Sequence, residues 1–291
     1  MEGVSPGRYD RPKRWIRAAV PLWCRKRLAR LIGRQQWLSG RFWWVQELLR
    51  DFEAADPNSY HRFLWSHHLG YAETYEVGLR FGRDRVHPTR LLLFDELSAC
   101  LKGLGKGPDT IDSVFEVGCS LGYNLRFLEE EVFRQATVLE GCDIDAHAIE
   151  EGSAYLGECG SRVRLSVGDM ADLDTRLSGR TFDITLCPGV LMYLSSEDAS
   201  RVVASTLRHT RVVACFSGLA DPHQDNATLG ESAVRGYDGT FIHNIDDMVQ
   251  RAGGKVQRRR WEGARLEEGN TIYFVFAVPD PERVDEKGEA R

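Results

Sequence analysis

The sequence predicts an α/β protein: a seven-stranded, mostly parallel sheet with its last strand antiparallel, preceded by a helical annex. Three observations predict it. From Pro108 onward, short apolar runs alternate with amphipathic stretches, the pattern of strands covered on both faces by helices. The last two runs, 255–261 and 271–278, lie close enough to pair antiparallel. Before Gly107 the apolar residues recur only at helical spacing.

The elements follow in order. Trp15, Ile16, Ala19, Leu22, Trp23, Leu28, Leu31 and Ile32 share a helical period that Pro21 interrupts. Further helices are expected over 41–52, 60–68 and 89–104, and Gly105 and Gly107-Pro108 punctuate the chain. Strands are expected at 113–117, 137–142, 163–167, 182–187 and 211–217, with helices over 121–133, 146–156 and 197–206 between them. A helix over 246–252, closed by Gly253-Gly254, precedes the final pair of strands. This divides the chain into a helical annex or lid (1–107), a sheet domain (108–279) and a polar tail (280–291) expected to be disordered.

Composition narrows the class. Net charge is −5, yet the first fifty residues are rich in Arg and poor in acids. The seven cysteines are odd in number and contain no CxxC pair, so a reducing compartment and no metal site are expected. No apolar run approaches the roughly 20 residues that span a bilayer. The apolar stretch 18–23 is too short for a secretory leader and runs into Arg25-Lys26-Arg27. A cytoplasmic protein is expected.

In an open parallel sheet, ligands bind at the C-terminal strand ends where strand order reverses. The first strand ends Glu116-Val117-Gly118-Cys119-Ser120-Leu121-Gly122. Glycines there let the backbone turn sharply, and the next helix presents free N–H groups. This stretch resembles the E/DxGxGxG signature of class I S-adenosylmethionine-dependent methyltransferases. Glu116, Gly118 and Gly122 match; Ser120 stands at the middle glycine. The likeness continues in order through Gly141-Cys142-Asp143-Ile144-Asp145, Gly168-Asp169-Met170, Phe182-Asp183, Pro188-Gly189, Tyr193-Leu194 and the stretch 245–254.

The resemblance covers 113–279 and implies a Rossmann-like class I methyltransferase fold with S-adenosyl-L-methionine as cofactor. It implies that Glu116, Gly118, Cys119, Ser120 and Gly122 form the cofactor's turn. Asp143 takes the ribose hydroxyls beside Ile144, Asp169 takes the adenine amino group, and Met170 lines the ring. Pro188 and Gly189 line the methionine end, and Asp183 braces the glycine turn. For Asp143 and Asp145, capping of the next helix is the competing reading, and it is preferred for Asp145. Tyr71 and Tyr75 are candidates for an aromatic lid contact, with Arg80 at the cofactor carboxylate; packing between annex and core explains them equally well.

Methyl transfer needs acceptor, methyl carbon and sulfur held in line. A hydroxyl acceptor also needs a base, for which His is suited. His223, in the loop 218–241, and Tyr193 are the catalytic candidates. His67, His68, His87 and His243 are others, while His209 is expected to end a helix. Surface or packing roles compete for each. The expected function is methylation of a small molecule or sugar-bearing metabolite, on oxygen in preference to nitrogen. Two readings compete: a non-catalytic cofactor-binding module of the same fold, and an RNA methyltransferase using the basic N-terminal segment.

That segment interleaves Arg and Lys with Trp15, Trp23, Trp37, Trp43 and Trp44. Its apolar face packing on the core is one reading. Peripheral contact with an anionic membrane is the second. Nucleic acid is the third, disfavoured by the acidic overall charge.

Overall fold

The computed structural model describes residues 19–35, 38, 40–70, 86–236, 238–263 and 272–280. The chain forms two compact units, Met1–Thr74 and Tyr75–Arg291.

In the first unit, α1 (Leu22–Gly33), α2 (Arg41–Ala55) and α3 (Pro57–Ser66) pack around Ala29, Val45, Leu48, Leu49, Phe52, Tyr60 and Leu64. Asp56 caps α3, accepting from Ser59 N at 3.0 Å, with Pro57 in the first turn, where its missing N–H costs nothing. Arg25 is buried here. It donates to Leu48 O at 2.7 Å and forks onto the Asp51 carboxylate, so its charge is paired.

The second unit begins with α4 (Pro88–Gly103). Its Leu93, Phe94, Leu97 and Leu101 share one core with Val114, Ile184, Val213, Phe274 and Phe276 of the sheet. The boundary between units therefore falls before α4, not at the Gly105–Pro108 punctuation. Those residues mark a turn, and the burial of α4 on the sheet decides its membership.

The sheet contains β1 (Ser113–Val117), β2 (Val138–Asp143), β3 (Arg164–Val167), β4 (Phe182–Pro188), β5 (Thr210–Gly218), β8 (Gly254–Glu262) and β9 (Ile272–Pro279). Their order is β3-β2-β1-β4-β5-β9-β8, and only β9 runs against its neighbours. This is the expected architecture. Alternation along β1 sends Val114 to one core layer and Phe115 and Val117 to the other. The chain winds outward from β1 to β3 and returns to β4 on the other side of β1. The strand order thus reverses between β1 and β4.

The expected helix over 121–133 is α5 (Tyr123–Phe127) followed by a widened π turn, Leu128–Val132. The other helices are α6 (Ala146–Glu158), the short α7 (Leu173–Arg176), α8 (Ser196–Arg208) and α9 (Ile245–Arg251). The loop after β5 contains a small hairpin, β6 (Ala233–Val234) with β7 (Phe241–Ile242), too short to show a period in sequence. Among the described residues no helix is long and apolar enough to cross a membrane.

Asp183 departs from its expected place. It accepts from Asp112 N at 2.9 Å and Ser113 N at 3.0 Å, so it braces the start of β1, not the glycine turn at its end. Parallel pairing is the reason. The start of β4 lies beside the start of β1, with Val114 opposite Ile184.

Candidate active site

The turn after β1 is built by three left-handed residues: Gly118 (φ 71°), Ser120 (φ 48°) and Gly122 (φ 80°). Gly118 N and Cys119 N donate to Cys142 O at 2.8 and 3.1 Å, locking the turn to β2. A Cβ on Gly118 would lie 2.3 Å from Val190 Cγ2, so only glycine lets the loop after β4 close on the turn. Cys119 contributes backbone only; its side chain is buried in the core. Ser120 is a non-glycine in a conformation unfavourable to L-residues. Its N–H donates to Asp143 Oδ2 at 2.8 Å, which holds it there.

Asp143, at the end of β2, also accepts from Asp145 N through Oδ1 at 2.9 Å. Burial pushes its carboxyl above the ordinary carboxylate range. Its carbonyl accepts from Gly168 N at 2.8 Å, which ties the end of β3 to the end of β2. Asp169 follows and accepts from Ala171 N at 2.9 Å; Met170 packs against the core layer beneath. Asp145 is the N-cap of α6, accepting from His147 N and Ala148 N at 3.1 Å.

Glu116 is fully buried behind the turn. Its Oε1 accepts from Asn124 Nδ2 at 2.6 Å. Burial pushes its pKa up to about 8, against the pull of the Asn124 hydrogen bond and the Arg90 charge, while the Asp143 charge pushes the same way as burial. The folded protein therefore holds a proton here that the unfolded chain has released. Stability from this group is complete below 4.5 and is lost as pH rises from 4.5 to about 8. Thermal melts across that window are expected to show a downward slope that Glu116→Gln reduces. An unchanged slope in the variant would assign it to other groups.

Arg90, in the first turn of α4, donates through Nη2 to Pro188 O at 3.2 Å. A Cβ on Gly189 would lie 2.8 Å from the same nitrogen. Neither Arg90 nor Asn124 was singled out by sequence reasoning. Asn124 stands one helical step past the motif, and nothing in a linear pattern places α4 over the end of β4. Arg80, Tyr71 and Tyr75 lie outside the described residues.

The structure joins these elements through direct contacts: Glu116 to Asn124, Ser120 to Asp143, Gly118 beside Val190 and Arg90 to Pro188. Tyr193 is linked to them, since its N–H donates to Val190 O at 3.0 Å. His223 is exposed on a turn of the post-β5 loop, its N–H donating to Asp221 Oδ1 at 2.8 Å. Asn226 anchors that loop. It donates to Leu219 O and His243 O and accepts from Asp221 N and Trp261 Nε1, using every polar site it has.

The remaining histidines have structural partners. His243 is buried, with Nε2 3.0 Å from Leu191 O and Nδ1 2.7 Å from Ser232 Oγ. Nε2 facing a carbonyl fixes it as the protonated nitrogen, and burial lowers the ring's pKa, so His243 is a neutral clamp. His87 caps α4 through Thr89 N, His67 bonds Phe63 O, and His209 ends α8.

An open sheet of this order with one reversed strand, a glycine turn at the switch point and an acid ending the next strand define a class I methyltransferase fold. Residues 114–212 match the family model of a methyltransferase domain. That match runs from β1 into β5, over the strands that carry the glycine turn and Asp143, and S-adenosylmethionine is the cofactor this resemblance implies. No curated protein matches the sequence.

Solved structures agree in fold. Magnesium protoporphyrin IX methyltransferase (ChlM) from Synechocystis PCC 6803, with bound SAM, is similar at 16% identity over 77% of this chain and 98% of its own, with a TM-score of 0.50. The [4+2]-cyclase SpnF is similar at 13% identity over 66% of this chain and 81% of its own, with a TM-score of 0.51.

The residues present fit this cofactor. Glu116 Oε2, Ser120 Oγ and Asn124 Oδ1 are buried without a hydrogen-bond partner among the described residues. Ser120 Oγ and Asn124 Oδ1 provide acceptors for a polar ligand, and the protonated Glu116 carboxyl provides a donor.

Proposed function

We propose that this protein methylates a small molecule or a sugar-bearing metabolite, on oxygen in preference to nitrogen. The observation that supports methyl transfer is the Gly118–Ser120–Asp143 cradle at the switch point, with the post-β4 loop closed on it. The cofactor brings a methyl group already activated by its sulfonium, so the protein needs no covalent intermediate. Asp143 keeps lone pairs for ribose hydroxyls after accepting from Ser120 and Asp145. Asp169 would take the adenine amino group, with Ile144 and Met170 beside the ring. Pro188 would line the methionine end, and Arg90 would meet its carboxylate. Tyr193 and the post-β5 loop would border the acceptor.

The oxygen preference rests on His223, which the anchored loop presents as an exposed side chain suited to taking a hydroxyl proton. The test is transfer of a labelled methyl group to a panel of hydroxyl and amine acceptors, glycosides included. Label is expected on a hydroxyl, and His223→Ala is expected to lower kcat by about a hundredfold or more with little change in KM. Transfer to amines alone would overturn the oxygen preference. Cofactor binding with no transfer to any acceptor would identify a non-catalytic module.

A further inference from the structure

Among the described residues, the first unit holds most of the large apolar side chains that are exposed. Of the seven large apolar side chains exposed among the described residues, Trp23, Leu28, Leu31, Trp43 and Trp44 stand on α1 and α2. A concentration of this kind on one small helical unit calls for a physical reason.

α1 has two faces. The inward face packs Leu22, Ala29 and Ile32 into the core of the unit, and Arg25 is consumed by Leu48 O and Asp51. The outward face brings Trp23, Arg27, Arg30, Leu31 and Arg34 into an arc of roughly 100°, with Leu28 at its edge roughly 60° beyond Leu31. Trp23 is 68% exposed and Leu31 53%. The helix contains no acidic residue. Arg27, Arg30 and Arg34 have no carboxylate partner among the described residues. Arginines in the last turn of a helix satisfy its dipole, which accounts for Arg30 and Arg34. It does not account for an indole and two leucines in water beside them.

We propose that the outward face of α1 docks on the anionic surface of a lipid bilayer. The guanidinium groups meet lipid phosphates as forked donors. Trp23 lies at headgroup level, where an amphipathic ring is favoured, and Leu28 and Leu31 reach the acyl boundary. The leucines favour lipid over nucleic acid, because aliphatic side chains gain from an acyl environment and offer a nucleic acid neither stacking nor a hydrogen bond. This docking is independent of the methyl-transfer reading.

The experiment is flotation of the full chain with vesicles of phosphatidylcholine alone or mixed with phosphatidylglycerol. The protein is expected to float only with the mixed vesicles and to be released by salt. Neutralising one of the three arginines is expected to weaken binding about fivefold. The combined Arg27→Glu, Arg30→Glu, Arg34→Glu variant is expected to stay at the bottom of the gradient while remaining folded by circular dichroism, its melting temperature lowered only by the lost helix-dipole contribution. Trp23→Ala with Leu31→Ala should weaken binding while retaining its salt dependence. No flotation of the wild-type chain overturns the proposal, as does flotation of the charge-reversed variant. Salt-dependent RNA binding that the arginine variant loses, in a chain that does not float, would reassign the face to nucleic acid.

Discussion

Replacing Asp143 by alanine is expected to weaken S-adenosylmethionine binding by roughly a hundredfold, about 3 kcal/mol. Two losses combine. The carboxylate would no longer be there for the ribose. Its present partners, Ser120 N at 2.8 Å and Asp145 N at 2.9 Å, would also lose their acceptor. Hydrogen bonds to a charged group contribute about 1.5–3 kcal/mol each. The Ser120 bond matters most, because that residue sits at φ 48°, where only its surroundings keep it. Calorimetric titration with cofactor reads the effect, and circular dichroism checks that the variant is folded. Asp143→Asn keeps one acceptor and should fall between wild type and alanine. An affinity unchanged in a folded Asp143→Ala protein would place the ribose elsewhere.

Gly118→Ala is expected to be damaging out of proportion to one methyl group. The left-handed backbone at φ 71° costs an L-residue about 1–2 kcal/mol. The new Cβ would stand 2.3 Å from Val190 Cγ2, and relieving such overpacking costs about 1–3 kcal/mol more. The relief comes by moving the Val190 side chain, the turn or the loop after β4, and the last two would border the proposed cofactor seat. Lower melting temperature and lost cofactor binding are expected together. Gly160→Ala separates the causes. Gly160 has φ 63° but nothing within 4 Å of an added Cβ. It should lose about 1 kcal/mol and keep its cofactor affinity. Equal effects from the two substitutions would show that backbone conformation, not the Val190 contact, sets the cost at Gly118.

Much of this fold was legible because its signals are local. Ser113–Val117 reads as a strand from five residues alone, and the structure gives the same limits. Asp145 reads as a helix cap because its partners are two and three residues away. Asp183 was misplaced because its partners, Asp112 and Ser113, are some seventy positions away, at the start of a strand whose neighbour no local pattern names. His243 looked like any other histidine until Leu191 O and Ser232 Oγ enclosed it. The hairpin Ala233–Val234 with Phe241–Ile242 was missed because two-residue strands have no period to read.

By itself the sequence determined the alternation of strands and helices, the glycine turn, and the ordered acids that resemble a methyl donor's site. These depend on side-chain periodicity and turn conformation, which neighbouring residues set. Only the tertiary structure decided that α4 belongs to the sheet, that Arg90 reaches Pro188 O, and that Asn124 holds a Glu116 whose pKa is raised to about 8. Burial and long-range pairing determine those properties, since a carboxyl group's charge depends on the water excluded from it by residues far along the chain.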